Sequence, residues 1–163
     1  NKTALIIACQ EGHKDVVQLL LDYSGSNIDL NANTFIWACK GNHIDIIQLF
    51  LDHSPRIDLN ARTNFGWTAL MWACEVGRKN VVQLLLDHSE RIDLNARDNT
   101  GWTAFMKACK HGRKDVVQLL LDHSDKIDLH ARNNYGKTGL FFVLSYGHEN
   151  IINLFLEHPD PDL

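Results

Sequence analysis

The sequence predicts an all-α repeat solenoid, in which helix-turn-helix units stack side by side and are joined by extended or β-hairpin finger loops. Three observations support this fold class: a regular period, apolar residues at helical spacing within each period, and turn-forming residues between periods. The period is visible in Cys39, Cys74 and Cys109, which stand 35 residues apart. Periods of this size are typical of stacked arrays, because one short unit cannot bury its apolar face alone.

The first predicted helix of each unit is short. Residues Ala69 to Val76 carry apolar side chains at helical spacing, and the segment ends at Gly77. Glycine readily adopts the left-handed conformation that stops a helix. In an earlier unit Asn42 occupies the equivalent position, and asparagine also tolerates that conformation.

A second helix is predicted directly after this glycine. Residues Lys79 to His88 place apolar side chains at the offsets of a broad buried stripe, namely Val81, Val82, Leu85 and Leu86. The same pattern recurs almost unchanged from Val116 to Ser124. The two helices are therefore expected to form a helical hairpin.

The connection between units has the composition of a finger loop. Residues 92–95 alternate apolar and polar side chains, and residues 98–101 read Asp-Asn-Thr-Gly, which is strong turn chemistry. An extended loop or β-hairpin is expected there.

Together these residues resemble the ankyrin repeat over essentially the whole chain. The order that carries the resemblance is Asp98-x-x-Gly101-x-Thr103-Ala104-Phe105-Met106-x-Ala108-Cys109-x-x-Gly112-Arg113, followed by Val116-Val117-x-Leu119-Leu120-Leu121. Five copies are expected in a single domain 1–163, at about residues 1–32, 33–61, 62–96, 97–131 and 132–163. The resemblance implies a curved solenoid whose fingers and first helices line a concave groove that binds proteins.

Two departures from the family pattern affect the scaffold. The family usually carries Thr-Pro-Leu-His at the first helix, whereas here the histidine position holds Met71, Met106 or Phe141. Apolar packing is therefore expected to replace a Thr to His hydrogen bond. The spacing also implies that about six finger residues are missing near Ala32 and Asn33, and the abrupt chain ends suggest a fragment of a longer array.

Composition and spacing weigh against several functions. The formal charge of -4 gives no global attraction to nucleic acid or an anionic membrane, and no apolar run is long enough for a membrane span, so an intracellular protein is expected. The cysteines and histidines recur with the repeat, which predicts buried core thiols and no metal site. No catalytic constellation or phosphate-binding glycine loop is evident, so neither an enzyme nor a cofactor is expected.

The residues that differ between otherwise similar repeats are the candidate binding residues, and many are aromatic or basic. Trp67 and Trp102 are expected to lie where no neighbour buries them, as anchors for a partner. The predicted partner is another protein or peptide, acidic and with apolar anchors. Alternatives are single-stranded nucleic acid, or a targeting array attached to an effector or enzyme domain outside this chain. The candidate site residues are Trp37, Phe65, Trp67, Trp72, Glu75, Trp102, Lys107, Lys110, His111, Tyr135, Lys137 and Tyr146.

Overall fold

The computed structural model describes residues 4–23, 32–52 and 58–158, and these residues form ten α-helices and no β-strand. The helices follow one another in pairs, a first and a second helix for each repeat, which confirms the predicted all-α repeat solenoid. Their bounds are α1 Ala4–Glu11, α2 Lys14–Tyr23, α3 Ala32–Gly41, α4 Ile44–Asp52, α5 Ala69–Val76, α6 Lys79–Asp87, α7 Ala104–Lys110, α8 Lys114–Leu121, α9 Gly139–Ser145 and α10 Glu149–Leu156.

The first helices form one continuous layer, because α1 contacts α3, α3 contacts α5, α5 contacts α7 and α7 contacts α9. Second helices contact each other in the pairs α2 with α4, α6 with α8 and α8 with α10. The core lies between the two layers, where Leu70 and Cys74 of α5 and Val81 and Leu85 of α6 are buried. Each repeat therefore buries its apolar stripe against its neighbours.

The ends of the first helices follow from specific residues. The Thr68 Oγ1 accepts a hydrogen bond from the Met71 N–H at 3.3 Å, which satisfies one of the free donors at the start of α5. Gly77 ends this helix with a φ of 84°, and Asn42 ends α3 with a φ of 65°. Both predicted helix stops are confirmed.

Apolar packing replaces the histidine of the family pattern in two repeats. Met71 and Met106 are fully buried, as expected, while the threonine hydroxyl at each helix start bonds to the backbone N–H of the same methionine. The equivalent Phe141 of the last described repeat is 39 % exposed.

The fingers are tight turns rather than strands. In the fourth repeat the Asp98 N–H donates to the Trp102 carbonyl at 2.9 Å, and the Gly101 N–H donates to the Asp98 carbonyl at 2.9 Å. Neighbouring fingers are also bonded to each other, because the Asn99 side-chain amide donates to the Asn64 carbonyl at 2.9 Å. The fingers therefore stack with the same period as the helices.

The four cysteines are free and completely buried in the first-helix layer, which confirms the prediction of core thiols. Their positions are Cys9, Cys39, Cys74 and Cys109.

The predicted gap falls at the start of α3. Ala32 and Asn33 are consecutive residues of that helix, while residues 24–31 and 159–163 lie outside the described residues. The six missing finger residues are therefore inferred from the repeat spacing alone, and their absence stays a prediction.

Candidate functional site

A pocket of about 370 Å³ opens between the fingers of the third and fourth repeats. We call the surface formed by the finger turns and the first helices the groove face, and this pocket lies on it. Six of its lining residues are among the predicted site residues, and the other two are Asp98 and Thr100. The full lining is Trp67, Glu75, Asp98, Thr100, Trp102, Lys107, Lys110 and His111.

The floor of the pocket contains a buried ion pair. The Lys107 Nζ lies 3.0 Å from the Asp98 Oδ2, and the two side chains are only 6 % and 4 % exposed. The other carboxylate oxygen of Asp98 accepts hydrogen bonds from the Thr100 N–H at 2.9 Å, the Thr100 hydroxyl at 2.8 Å and the Trp102 N–H at 3.0 Å. The finger turn therefore holds the carboxylate in place, and Lys107 of α7 approaches it from the helix layer.

The surroundings of this pair explain the pKa of each group. Burial alone would raise the pKa of Asp98, but the hydrogen bonds from Lys107, Trp102 and Thr100 together lower it below the usual 3.8. Burial lowers the pKa of Lys107, although the bond to Asp98 opposes that shift. The carboxylate is thus ionised at neutral pH and neutralises the buried ammonium.

Trp67 and Trp102 are half-buried, so the expectation that they have no covering neighbour was wrong. The Trp67 ring lies 4.5 Å from the Trp72 ring, and the Trp102 ring stacks on Phe142 at 4.2 Å, measured between centroids. The reason is the finger turn itself, which reverses the chain after the glycine and directs the next side chain back onto the first helix. Turn geometry of this kind is not visible in residue spacing.

The chain's own lysines also cover these indole faces. The Lys107 Nζ lies 3.5 Å from the Trp67 centroid and 5.4 Å from the Trp102 centroid, and the Lys110 Nζ lies 5.1 Å from the Trp102 centroid. Ammonium groups over aromatic faces gain a favourable electrostatic interaction. The pocket is therefore a preorganised set of rings and cations.

The same arrangement continues along the groove face toward both ends of the array. In the second repeat, the Lys40 Nζ lies 4.8 Å from the Trp37 centroid and 4.3 Å from the Trp72 centroid of the next repeat. In the fifth repeat, the Lys137 Nζ lies 3.9 Å from the Phe141 centroid. These lysines remain partly exposed.

Three predicted site residues lie outside the pocket and are strongly exposed. Phe65 and Tyr135 stand at finger tips and are 76 % and 70 % exposed, and Tyr146 follows α9 and is 56 % exposed. Their aromatic surface is available to a partner, unlike the indole faces beneath the lysines.

His111 and Glu75 border the pocket from successive repeats. The His111 Nε2 lies 3.8 Å from the Glu75 Oε2, and both side chains are partly exposed. Burial lowers the pKa of His111, and the nearby Glu75 carboxylate opposes the shift without reversing it. Protonation of His111 is therefore disfavoured even though the Glu75 carboxylate lies beside it.

Of the residues missed by sequence reasoning, Asp98 is the most informative. Its sequence context predicts a turn but does not predict the pairing with Lys107. The available signal was that both positions change together: the fifth repeat has Asn133 and Phe142 at the equivalent places. Lysine at a first-helix position otherwise held by large apolar residues required a buried counter-charge nearby.

Within the described ranges 4–23, 32–52 and 58–158, no group of three or more His, Cys, Asp or Glu side chains is placed to hold a metal ion. In the same part of the chain, no helix has the length and apolar character needed to cross a bilayer.

Comparison with known protein families identifies ankyrin repeats in this chain. The model of the family described as ankyrin repeats (3 copies) matches residues 5–98 and 90–163. No curated protein matches the chain.

Proposed function

Because the chain belongs to the ankyrin-repeat family, whose repeats generally act as protein-protein interaction modules, we propose that its groove face binds a protein or peptide partner that is acidic and has apolar anchors. The observation that carries this proposal is the preorganised pocket between Trp67 and Trp102, with partly exposed lysines beside it. Interface cores are enriched in aromatic side chains, and groups that are rigid before binding lose less conformational freedom on association.

The expected sign of the partner's charge follows from the distribution of charged residues on this protein. Lys40, Lys110 and Lys137 are partly exposed on the groove face. The second helices instead carry exposed aspartates, each accepting a hydrogen bond from a glutamine four residues earlier: Asp22, Asp52, Asp87 and Asp122. The negative net charge is thus concentrated away from the groove, and complementary charge favours an acidic partner.

Apolar contact is provided mainly by the finger tips. Phe65 and Tyr135 expose most of their rings and are two repeats apart. Burying a large aromatic side chain at an interface is among the strongest single contributions to binding. We therefore propose that these two residues are the apolar anchors, rather than the indoles of Trp67 and Trp102.

The buried ion pair supports a binding role over a catalytic one. The Asp98 carboxylate has four hydrogen-bonding partners and a lowered pKa, so it is a poor proton acceptor at neutral pH. Lys107 is occupied by that carboxylate and by an indole face. Both groups therefore stabilise the shape of the pocket.

Affinity capture with a matched pair of charge variants tests the proposal. The groove variant is Lys40→Glu with Lys110→Glu, and the control is Lys79→Glu with Lys114→Glu, which changes the same net charge on exposed lysines that begin α6 and α8. We expect proteins captured by the unmodified chain to be lost with the groove variant and retained with the control. The same captured set with all three chains would contradict the proposal.

A further inference from the structure

One position at the C-terminal end of each first helix forms a row across the groove face. It is the residue after the repeat cysteine, or after Leu144 in the fifth repeat. Since α1, α3, α5, α7 and α9 contact one another in order, these residues are consecutive across the array. None of them is fully buried. The row consists of Gln10, Lys40, Glu75, Lys110 and Ser145.

Three backbone carbonyls of this row are bonded to side chains of the following repeat. The Gln10 carbonyl is bonded to the His43 ring at 3.0 Å. The Glu75 carbonyl accepts from the Arg113 Nε at 2.9 Å, and the Lys110 carbonyl is bonded to the His148 ring at 2.9 Å. The spacing of the row is therefore set by the stacking of the repeats, and packed helices lie about 8–10 Å apart.

The charged side chains in the row are also held in place. Lys40 lies over two indole rings, and Lys110 lies over the Trp102 ring. Glu75, between them, has a side chain 25 % exposed and faces a His111 whose pKa is lowered. The central three positions of the row thus present positive, negative and positive charge to solvent.

We propose that this row selects a partner segment that crosses the repeats in polyproline II conformation with the charge pattern acidic-x-x-basic-x-x-acidic. A polyproline II chain advances about 3.1 Å per residue and has three residues per turn, so side chains three positions apart lie on one face and about 9 Å apart, which matches the 8–10 Å between adjacent helices. An acidic side chain then reaches Lys110, a basic one reaches Glu75 and a second acidic one reaches Lys40. This inference rests on the proposed function and specifies the partner's sequence.

The alternating row disfavours a nucleic-acid strand. A strand laid along the row has a phosphate at every nucleotide, so it would bring negative charge against Glu75 as well as against the lysines. The faces of Trp67 and Trp102 that would stack on bases are occupied by Lys107 and Lys110.

Selection from a random 12-residue peptide library displayed on phage tests the charge pattern without knowledge of the natural partner. With the unmodified chain we expect enriched peptides to share acidic, basic and acidic residues three positions apart. With Glu75→Lys the peptides should carry an acidic instead of a basic residue at the middle position of the pattern. With Lys110→Glu they should carry a basic instead of an acidic residue at one outer position. The Lys79→Glu with Lys114→Glu control should leave the pattern unchanged.

An enriched peptide and its charge-reversed version then give the size of the effect. One exposed ion pair changes a binding constant by about 1.5- to 5-fold. Reversing a charge removes that attraction and adds a repulsion of similar size, so three reversed pairs should weaken binding by at least about tenfold at low salt. A peptide residue that is reversed to basic opposite position 110 should no longer weaken binding when the protein carries Lys110→Glu. Fluorescence anisotropy of the labelled peptides measures both changes.

The outcomes separate this inference from the proposed function. If peptides need Lys40 and Lys110 but show no switch with Glu75→Lys, the charge pattern is wrong while groove binding stands. If no groove-dependent peptide is enriched, the inference is overturned, and the protein capture experiment decides the proposed function independently. If labelled oligo-dT binds the groove more tightly than every enriched peptide, a nucleic-acid partner replaces the proposal.

Discussion

Asp98 and Lys107 show how one pair of residues can distinguish a repeat from its neighbours. Removing one charge leaves the other buried without a counter-charge, which typically costs about 3–5 kcal/mol. Asp98→Asn alone should therefore lower the free energy of unfolding by about that amount. Asp98→Asn with Lys107→Phe reproduces the Asn133 and Phe142 of the fifth repeat and should recover most of the loss.

Urea unfolding followed by circular dichroism measures both variants. If Asp98→Asn costs less than about 0.5 kcal/mol, as an ordinary surface change does, the pair does not stabilise the fold. A double variant no more stable than the single one would show that the fifth-repeat pair does not fit the fourth repeat.

Two aromatic residues of one finger should respond differently to truncation. Trp67 packs on Trp72 and carries Lys107 over its ring, so Trp67→Ala should destabilise the fold by about 3 kcal/mol, as truncation of a packed aromatic does. Phe65 is 76 % exposed, so Phe65→Ala should change stability by less than about 0.5 kcal/mol. Thermal unfolding of the two variants side by side provides the comparison.

Binding measurements should show a large effect for Phe65, the residue whose truncation has little effect on stability. If Phe65 is an anchor, Phe65→Ala should weaken binding of a groove-dependent peptide by about 2 kcal/mol or more. A stability loss for Phe65→Ala equal to that of Trp67→Ala, or unchanged binding, would contradict the assignment of Phe65 as an anchor.

At the scale of the helices, the close packing of adjacent first helices limits the size of the side chains between them. Cys74 is completely buried in α5, which lies between α3 and α7. Cys74→Ala should cost only about 1 kcal/mol, whereas Cys74→Leu overpacks the contact and should cost about 1–3 kcal/mol. Gly139→Ala is expected to act like Cys74→Leu, because an added Cβ would lie 2.7 Å from the Phe105 ring.

Denaturant midpoints for the three variants measure these changes. A leucine at position 74 that leaves stability unchanged would mean that the helix layer expands at little cost. A gain in stability from Gly139→Ala would show that Phe105 moves aside freely.

The helices could be predicted because their signals are local. Thr68 at the helix start, Gly77 at its end and the stripe from Val81 to Leu86 each specify an element within a few residues. The contacts on the groove face could not be predicted from the sequence. The Asp98 to Lys107 pair and the Trp67 to Trp72 contact depend on how a finger turn directs side chains onto a helix. Residue types at repeat positions predicted six of the residues that line the pocket, but not which aromatic faces on that surface are free.

On the scale of the whole molecule, a repeat that is packed on one side should open more readily than a repeat that is packed on both sides. Each repeat is stabilised mainly by its neighbours, so the repeat with one neighbour has fewer contacts to break. In the described residues α1 packs chiefly on α2 and α3, whereas α5 is packed between α3 and α7 and also contacts α6. Local opening should therefore be most frequent around α1 in the 163-residue chain.

The buried cysteines provide a measurement of this opening. Burial raises the pKa of the Cys9 thiol to about 12 and raises the pKa of the Cys74 thiol further, so neither is reactive while folded. In variants that keep one cysteine and replace the other three by alanine, we expect iodoacetamide to label Cys9 at least about tenfold faster than Cys74, because free energies of local opening range from nearly zero at mobile ends to the global value in the core. Both should react at the same rate in denaturant, which controls for intrinsic reactivity. Equal labelling of the two thiols in the native protein would mean that the array opens as a single cooperative unit.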